Sequence, residues 1–405
     1  MKLIDYEPIV GKSTIEELRL LASKLAGREV QNINSTFVGG GVAEILNRMV
    51  PILQELGIDA RWSVIKGPPA FYEVTKKFHN ALHGRKESFS EEDFALFLEI
   101  NRKNMAEMDL HGQIMFIHDP QPSALVEMKK NLGGKWIWRC HIDVSNPDER
   151  VWRFVERYVV QYDATVFSAP AFSRPLPVRQ FLISPSIDPL SDKNKDLSTR
   201  EIDAAMAGMG IPRDKPIVAQ VSRFDYMKDP VGVIRAFEMV KKSIDSTLVL
   251  VGGGATDDPE GEKVLAQVKE AANGNPDIHI ISGQARSDVE INALQRASTV
   301  ILQKSLKEGF ALTVSEALWK ARPVVASDVG GIPLQVRHKL TGLLSHGIEG
   351  TAYAIRQLLS NPDYARWLAE NGKEHVRHNF LITRHVRDYM LLFIALDHSE
   401  DVIHL

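Results

Sequence analysis

Short apolar runs alternate along this chain with stretches whose apolar residues recur at helical spacing. In the first half, residues 30–37, 60–65, 114–118, 136–141, 164–167 and 180–183 read as strands, each too short and too apolar for a surface helix. Residues 42–56 place Ile45, Leu46, Met49, Ile52, Leu53 and Leu56 on one helical face, and Gly57 supplies the stop. The second half restarts the alternation. Strands are expected at 217–221, 247–251, 278–281, 299–302 and 323–326, separated by helices at about 229–243, 260–271, 287–297 and 313–320. Two long helices, near 362–378 and 383–396, follow. Alternation of this kind predicts an α/β protein with two doubly wound, Rossmann-like parallel sheets. No short-period repeat is present.

Between the halves, Ser184 to Leu197 reads SPSIDPLSDKNKDL, a composition suited to a linker or hinge. The expected organisation is an amino-terminal domain over 1–185, a second over 186–382, and a terminal helix, about 383–405, returning to the first. Open α/β sheets bind small molecules at the carboxyl ends of their strands, so two such sheets are expected to face each other across a deep cleft.

Composition narrows the class. The 405 residues suit two large domains that need no disulfide or metal staple. A formal net charge of −3 removes the electrostatic footprint of a nucleic-acid binder. The single cysteine, Cys140, fits a reducing cytoplasm. The amino terminus lacks a signal-type apolar stretch and no run is long enough to span a membrane.

Several motifs fail on inspection. Gly11-Lys12-Ser13-Thr14 resembles the end of a P-loop, but Tyr6 stands where its first glycine belongs. Gly39-Gly40-Gly41 and Gly252-Gly253-Gly254 follow strands, yet Glu44 and Asp257 occupy the last position of a dinucleotide fingerprint. A nicotinamide enzyme is therefore disfavoured, although such turns still offer backbone N–H groups to anions. The thirteen histidines show neither HExxH nor zinc-finger spacing, so no metal site is expected.

One constellation persists. Between a strand and a helix lies KEGFALTVSEAL, with Glu308 and Glu316 eight residues apart. Thr313 and Glu316 also have capping-box spacing, a structural role compatible with phosphate binding because a first helical turn presents free N–H groups. Upstream, SRFDYMKDP puts Arg223 and Lys228 on the loop after a strand, where a diphosphate could meet both cations.

Together SRFDYMKDP, LVGGG, the paired glutamates of EGFALTVSEA and ARPVVASDVGGIP resemble the donor half of family-4 retaining glycosyltransferases with the GT-B fold. The glycine-rich stretch at 38–43 matches the amino-terminal domain of that family. HDPQP at 118–122, WRCHIDVSNP at 138–147, Trp152-x-Phe154 and YDATVFS at 162–168 are similar to trehalose glycosyltransferring synthases and to trehalose phosphorylases. One position departs: Ala311 stands where many relatives have glycine.

The resemblance implies transfer of glucose from an ADP-, UDP- or GDP-linked donor to the anomeric hydroxyl of free glucose, reversibly and with retention. Arg223, Lys228 and the backbone N–H groups of Leu312 and Thr313 would hold the departing diphosphate. Glu316 would accept hydrogen bonds from ribose hydroxyls and Glu308 from glucose hydroxyls, while His141 would contact the transferred sugar. Gly40 and Gly41 would form the loop nearest the phosphates. Asp119, Gln121, Arg139 and Asp143, polar residues at expected strand ends, are the acceptor candidates. The family implies a homodimer and no tightly bound cofactor, with Mg2+ stimulation left open. Competing readings are a trehalose phosphorylase, which is usually a longer chain, a sugar-nucleotide epimerase, and a nucleotide-sugar sensor on an inactive transferase fold.

Overall fold

The computed structural model describes residues 2–38, 40–252, 259–282 and 286–398. The chain forms two compact units, Met1–Ser186 with Ile382–Leu405, and Ile187–Leu381. Among the described residues, each unit is built on one six-stranded sheet.

The first sheet contains β1 (Glu29–Asn34), β2 (Asp59–Val64), β3 (Ile114–His118), β4 (Lys135–Cys140), β5 (Ala164–Phe167) and β6 (Arg179–Leu182), in the order β2-β1-β3-β4-β5-β6. All its pairings are parallel, and the register sets His118 beside Arg139. Strands β3, β5 and nearly all of β4 are buried, as continuous apolar runs covered on both faces should be. Phe78, Phe97 and Phe154 pack ring against ring beside this sheet, the first two stacked with centroids 5.1 Å apart. Trp152 and Phe154 are both core residues, so that motif serves packing. Helix Ile382–Asp397 closes the unit by setting Tyr389 and Phe393 edge-on to Phe116 of β3. Residues 399–405 of the expected returning segment lie outside the described residues, as do Gly39, Gly253 and Gly254 of the two glycine triplets.

The second sheet contains β7 (Ile217–Val221), β8 (Thr247–Val251), β9 (Ile278–Ile281), β10 (Val300–Gln303), β11 (Val324–Ser327) and β12 (Leu343–Ser345). Its order is β12-β11-β10-β7-β8-β9, again all parallel. Chain order therefore reverses at β7, with β10 and β8 on its two sides.

The sequence pattern misses elements for physical reasons. Helix Glu91–Glu107 buries Asn101 and Asn104 alongside Phe94, Phe97 and Ile100, which blurs its apolar stripe. These amides are structural: Asn104 donates to the Lys66 carbonyl and its Oδ1 accepts from the Lys66 N–H. Strand β12, three residues long, is too short to show a period.

The segment 184–197 also behaves differently from its composition. From Ile187 onward it is bonded into the second unit. Asn292 donates to the carbonyls of Asp192 and Lys195, and Arg296 to those of Asn194 and Lys195. Asn194 is buried; it donates to the Asp188 carbonyl, and its Oδ1 accepts from Lys320 Nζ at 2.9 Å. The hinge reading thus fails for most of this stretch, because polar side chains here satisfy backbone groups inside the protein. Among the described residues, no helix is long and apolar enough to cross a membrane. Replacing Asn194 with Ala removes one acceptor from Lys320 Nζ, which keeps Gln295 and the Glu316 carbonyl, and one donor from the Asp188 carbonyl, which keeps Ser191. Stability should fall by ~1 kcal/mol in urea unfolding. A loss below about 0.5 kcal/mol would show this segment to be loosely held.

Candidate active site

In the second unit, chain order reverses between β7 and β10, and ligands of open α/β sheets bind outside the carboxyl ends of strands at such a reversal. The loop after β7 carries Arg223 and Lys228; the loop after β10 carries Glu308. Lys228 Nζ pairs with Glu308 Oε2, and that carboxylate also accepts from Ser305 Oγ at 3.2 Å. Both ends of the pair are largely buried. Gln220 ties the two loops together, donating to the Lys228 carbonyl at 2.9 Å and accepting from the Lys304 N–H at 3.0 Å. Beneath them, buried Lys304 pairs with Asp229, whose other oxygen caps the helix Pro230–Lys241 through the Gly232 N–H. Arg223 differs: its side chain is 62% exposed and bonds only loosely to Asp225, at 3.3 Å. Gly252 lets the first loop pass, since a Cβ there would lie 2.7 Å from the Ser222 carbonyl oxygen.

Helix Leu312–Trp319 begins beside Glu308. Leu312 and Thr313 are its first two residues, so their N–H groups have no intrahelical acceptor. The capping-box reading of Thr313 and Glu316 is overturned. Ala311 is the N-cap, and Thr313 lies inside the helix, its hydroxyl donating to Gln303 Oε1 at 2.9 Å. Glu316 is buried, accepting from Gln295 at 3.3 Å with Lys193 Nζ 3.9 Å away. Its carboxylate is held by side chains rather than by the helix end. Ala311 sits in the left-handed region, at φ 68°, where glycine is at ease and alanine is strained. The loop after β11 explains the DVGG motif: a Cβ on Gly330 would fall 1.7 Å from the Glu308 carbonyl oxygen, and one on Gly331 2.6 Å from that of Gly309. Only glycine allows this loop to buttress the Glu308 loop.

In the first unit, β1 and β3 form the corresponding reversal. Gly40, at φ 78°, starts the helix Gly40–Glu55, and Gly41 follows in its first turn. After β3 comes Asp119, itself left-handed at φ 66°. Its Oδ1 accepts the His141 backbone N–H at 2.8 Å, joining the end of β3 to the end of β4. Burial pushes the Asp119 carboxyl up to about 6, opposed by that hydrogen bond and by the Arg139 charge. His118 and His141 bond to each other at 3.1 Å; burial, then the Arg139 charge, holds His118 down to about 3 and His141 well below its ordinary value. Asp143 is largely committed to a turn, accepting from the Ser145 N–H and hydroxyl. Gln121 is half-buried, with Oε1 lacking a partner.

Arg139 is the clear departure from expectation. It is fully buried, its Nη2 donating to Ser168 Oγ, while Nε and Nη1 have no partner. A guanidinium with no exposed face cannot receive a sugar from solvent; its place is to set the internal field on Asp119 and the histidines. Sequence reasoning also passed over His118 and Asn32 as site residues. His118 opens the HDPQP motif, but its tie to Asn32 shows only in the fold, where residues 86 positions apart meet across the sheet. Among the described residues, no group of three or more His, Cys, Asp or Glu is placed to hold a metal ion.

Residues 32–174 match the family model described as the trehalose synthase amino-terminal domain, and 201–375 the model for glycosyl transferases group 1. The trehalose synthase of Rubrobacter xylanophilus is 44% identical over 97% of both chains. The chain belongs to the trehalose synthase family of glycosyltransferases. That of Pyrococcus horikoshii is 42% identical, over 98% of this chain and 96% of its own. Trehalose phosphorylase of Pleurotus pulmonarius is more distant, 25% identical, and the match spans 62% of that longer protein. The solved α,α-trehalose-phosphate synthase (UDP-forming) of Burkholderia xenovorans superposes with TM-score 0.74 at 16% identity, over 91% of this chain and 100% of that one. The fold is therefore that of the GT-B glycosyltransferases, as the two parallel sheets require.

Two contrasting substitutions test the second-unit loops of this trehalose synthase family member. Ala311→Gly should raise stability by ~0.5–1 kcal/mol, strain relief exceeding the unfolded-state entropy of glycine. Gly330→Ala should lower it by more than ~2 kcal/mol in the same urea titration. Equal, small effects at both would contradict the backbone geometry described.

A pH experiment tests Asp119. Its folded carboxyl binds a proton more tightly than an unfolded one near 3.8, so the stability it contributes is complete below that pH and lost as pH rises through about 6. Asp119→Asn should therefore gain ~2–3 kcal/mol on wild type between pH 4 and pH 7. A pH-independent difference would mean an ordinary carboxyl.

Proposed function

We propose that this glycosyltransferase moves glucose from a nucleoside diphosphate glucose to the anomeric hydroxyl of free glucose, retaining the α configuration and giving trehalose. The observation that carries this reading is the grouping at the β7–β10 reversal. It combines two cations, a helix amino terminus and a carboxylate within one set of loops. As the donor's glycosidic bond breaks, the diphosphate gains negative charge. Lys228, Arg223 and the N–H groups of Leu312 and Thr313 would stabilise it, the fixed dipoles needing little reorganisation. Glu308 then accepts sugar hydroxyls, with Lys228 balancing its charge, and Glu316 accepts ribose hydroxyls. The first unit supplies His141 to the transferred sugar, and Asp119 and Gln121 to the acceptor. The leaving phosphate takes the proton of the incoming hydroxyl on the same face, so no carboxylate nucleophile is invoked. The reaction runs in both directions, in a cytoplasmic homodimer with no tightly bound cofactor.

A phosphorylase reading would use glucose 1-phosphate as donor. It is less favoured because the matching phosphorylase is much the longer protein. The experiment is NMR product analysis with glucose and ADP-, UDP- or GDP-glucose, against glucose 1-phosphate. α,α-Trehalose from a nucleotide donor is expected; a reducing disaccharide, a β linkage, or turnover of glucose 1-phosphate alone would overturn the reading. Lys228→Ala and Arg223→Ala should each lower kcat/KM by roughly 10²–10³-fold, as loss of a charge-stabilising donor does. Changes under threefold in both would remove them from the leaving-group site.

A further inference from the structure

The polar chain at the end of β3 fixes where protons sit. Asn32 Nδ2 lies 3.2 Å from the Arg61 carbonyl, which can only accept, so the amide nitrogen faces that oxygen. Its Oδ1 is thereby turned to His118 Nε2, at 3.2 Å. An amide oxygen also only accepts, so His118 Nε2 carries a hydrogen. His118 is itself buried, its ring in contact with Asn32, the His141 ring and Phe116, with the Arg139 charge and, from helix Ile382–Asp397, the His385 ring within electrostatic reach. No carboxylate bonds to its ring among the described residues, so it is neutral, with a bare Nδ1. That nitrogen meets His141 Nε2 at 3.1 Å. The two ring planes are inclined by only 22° with centroids 5.4 Å apart, as an in-plane N–H···N bond requires. His141 must then donate from Nε2, and its neutral ring leaves Nδ1 unprotonated.

We propose that Asn32 and His118 are positioning residues that hold His141 in the Nε2–H tautomer, making His141 Nδ1 a hydrogen-bond acceptor for a hydroxyl of the transferred glucose. The sugar contact rests on the reading given under Proposed function; the tautomer does not. The Asp119 bond to the His141 N–H holds the backbone from the other side. An imidazole used this way selects a group able to donate a hydrogen. A deoxyfluoro sugar, whose fluorine cannot donate, should be rejected at that position.

Proton-coupled 15N NMR of the full chain at pH 7 tests the tautomers without any turnover. Expected are protonated Nε2 and bare Nδ1 signals for both His118 and His141. A protonated Nδ1 on either ring overturns the assignment. Asn32→Asp places a carboxylate against His118, which should become imidazolium, donate from Nδ1 and drive His141 to the Nδ1–H tautomer. That switch, with at least a tenfold rise in donor KM, supports the relay; an unchanged His141 tautomer in a folded variant overturns it. Should that variant fail to fold, the wild-type spectrum still decides. Addition of nucleoside diphosphate glucose to the wild type should shift the His141 Nδ1 resonance. A bare Nδ1 that does not respond to donor would remove the sugar contact while leaving the tautomer standing.

Discussion

A parallel sheet delivers every strand's carboxyl end to the same edge, and the chemistry of this molecule depends on that constraint. Within each unit, chain order reverses once, beside β1 and beside β7, and the loops leaving the strands there diverge. In the second unit this brings Lys228 and Glu308, 80 positions apart, into an ion pair. In the first it sets Asn32 of β1 beside His118 of β3, 86 positions away, where the two side chains bond at 3.2 Å. The sites are consequences of strand order before they are consequences of particular side chains.

What keeps the loops of the second unit in place is close backbone packing more than hydrophobic burial. Gly252, Gly330 and Gly331 each occupy a position where a Cβ would strike a carbonyl oxygen of a neighbouring loop. Four loops thus lean on one another in two pairs, that after β8 on that after β7 and that after β11 on that after β10, through main-chain atoms, which have fewer alternative conformations than side chains. Polar ties complete the frame: Gln220 spans two loops, and the Lys304–Asp229 pair sits below them. Buried ion pairs of this kind add little net stability, because desolvation offsets most of the attraction. Their value here is positional. The left-handed Ala311 fits the same account, since the strain of one residue is carried by a surround that permits little else.

The first unit uses burial differently. Arg139 has no exposed surface and incomplete hydrogen bonding, a costly arrangement on its own. Its field acts on Asp119, His118 and His141 and favours neutral imidazoles near a cation.

The apolar runs alone determined β3, β5, β7, β8 and β9, which coincide with runs too short and apolar to be anything else, but not the three-residue β12. The loops that carry Lys228 and Glu308 were equally legible as loops after strands, because SRFDYMKDP and EGFALTVSEA are local strings; that the two side chains pair was decided by the fold. Helix Glu91–Glu107 was not, since buried amides that satisfy distant backbone groups look polar in a linear pattern. The segment after Ile187 failed for the same reason: its polarity is used internally, not spent on water. Glu316 showed capping-box spacing, but the helix starts at Leu312, one residue before Thr313, which only the backbone conformation of Ala311 settles. Nor could composition tell that Arg139 faces inward. The Asn32–His118–His141 chain lies furthest from the sequence, because its members come from within β1, the end of β3 and the residue after β4, and the position of each proton depends on its neighbour. Local pattern fixes what each segment can form; only the folded chain decides which polar groups lose water and must find one another.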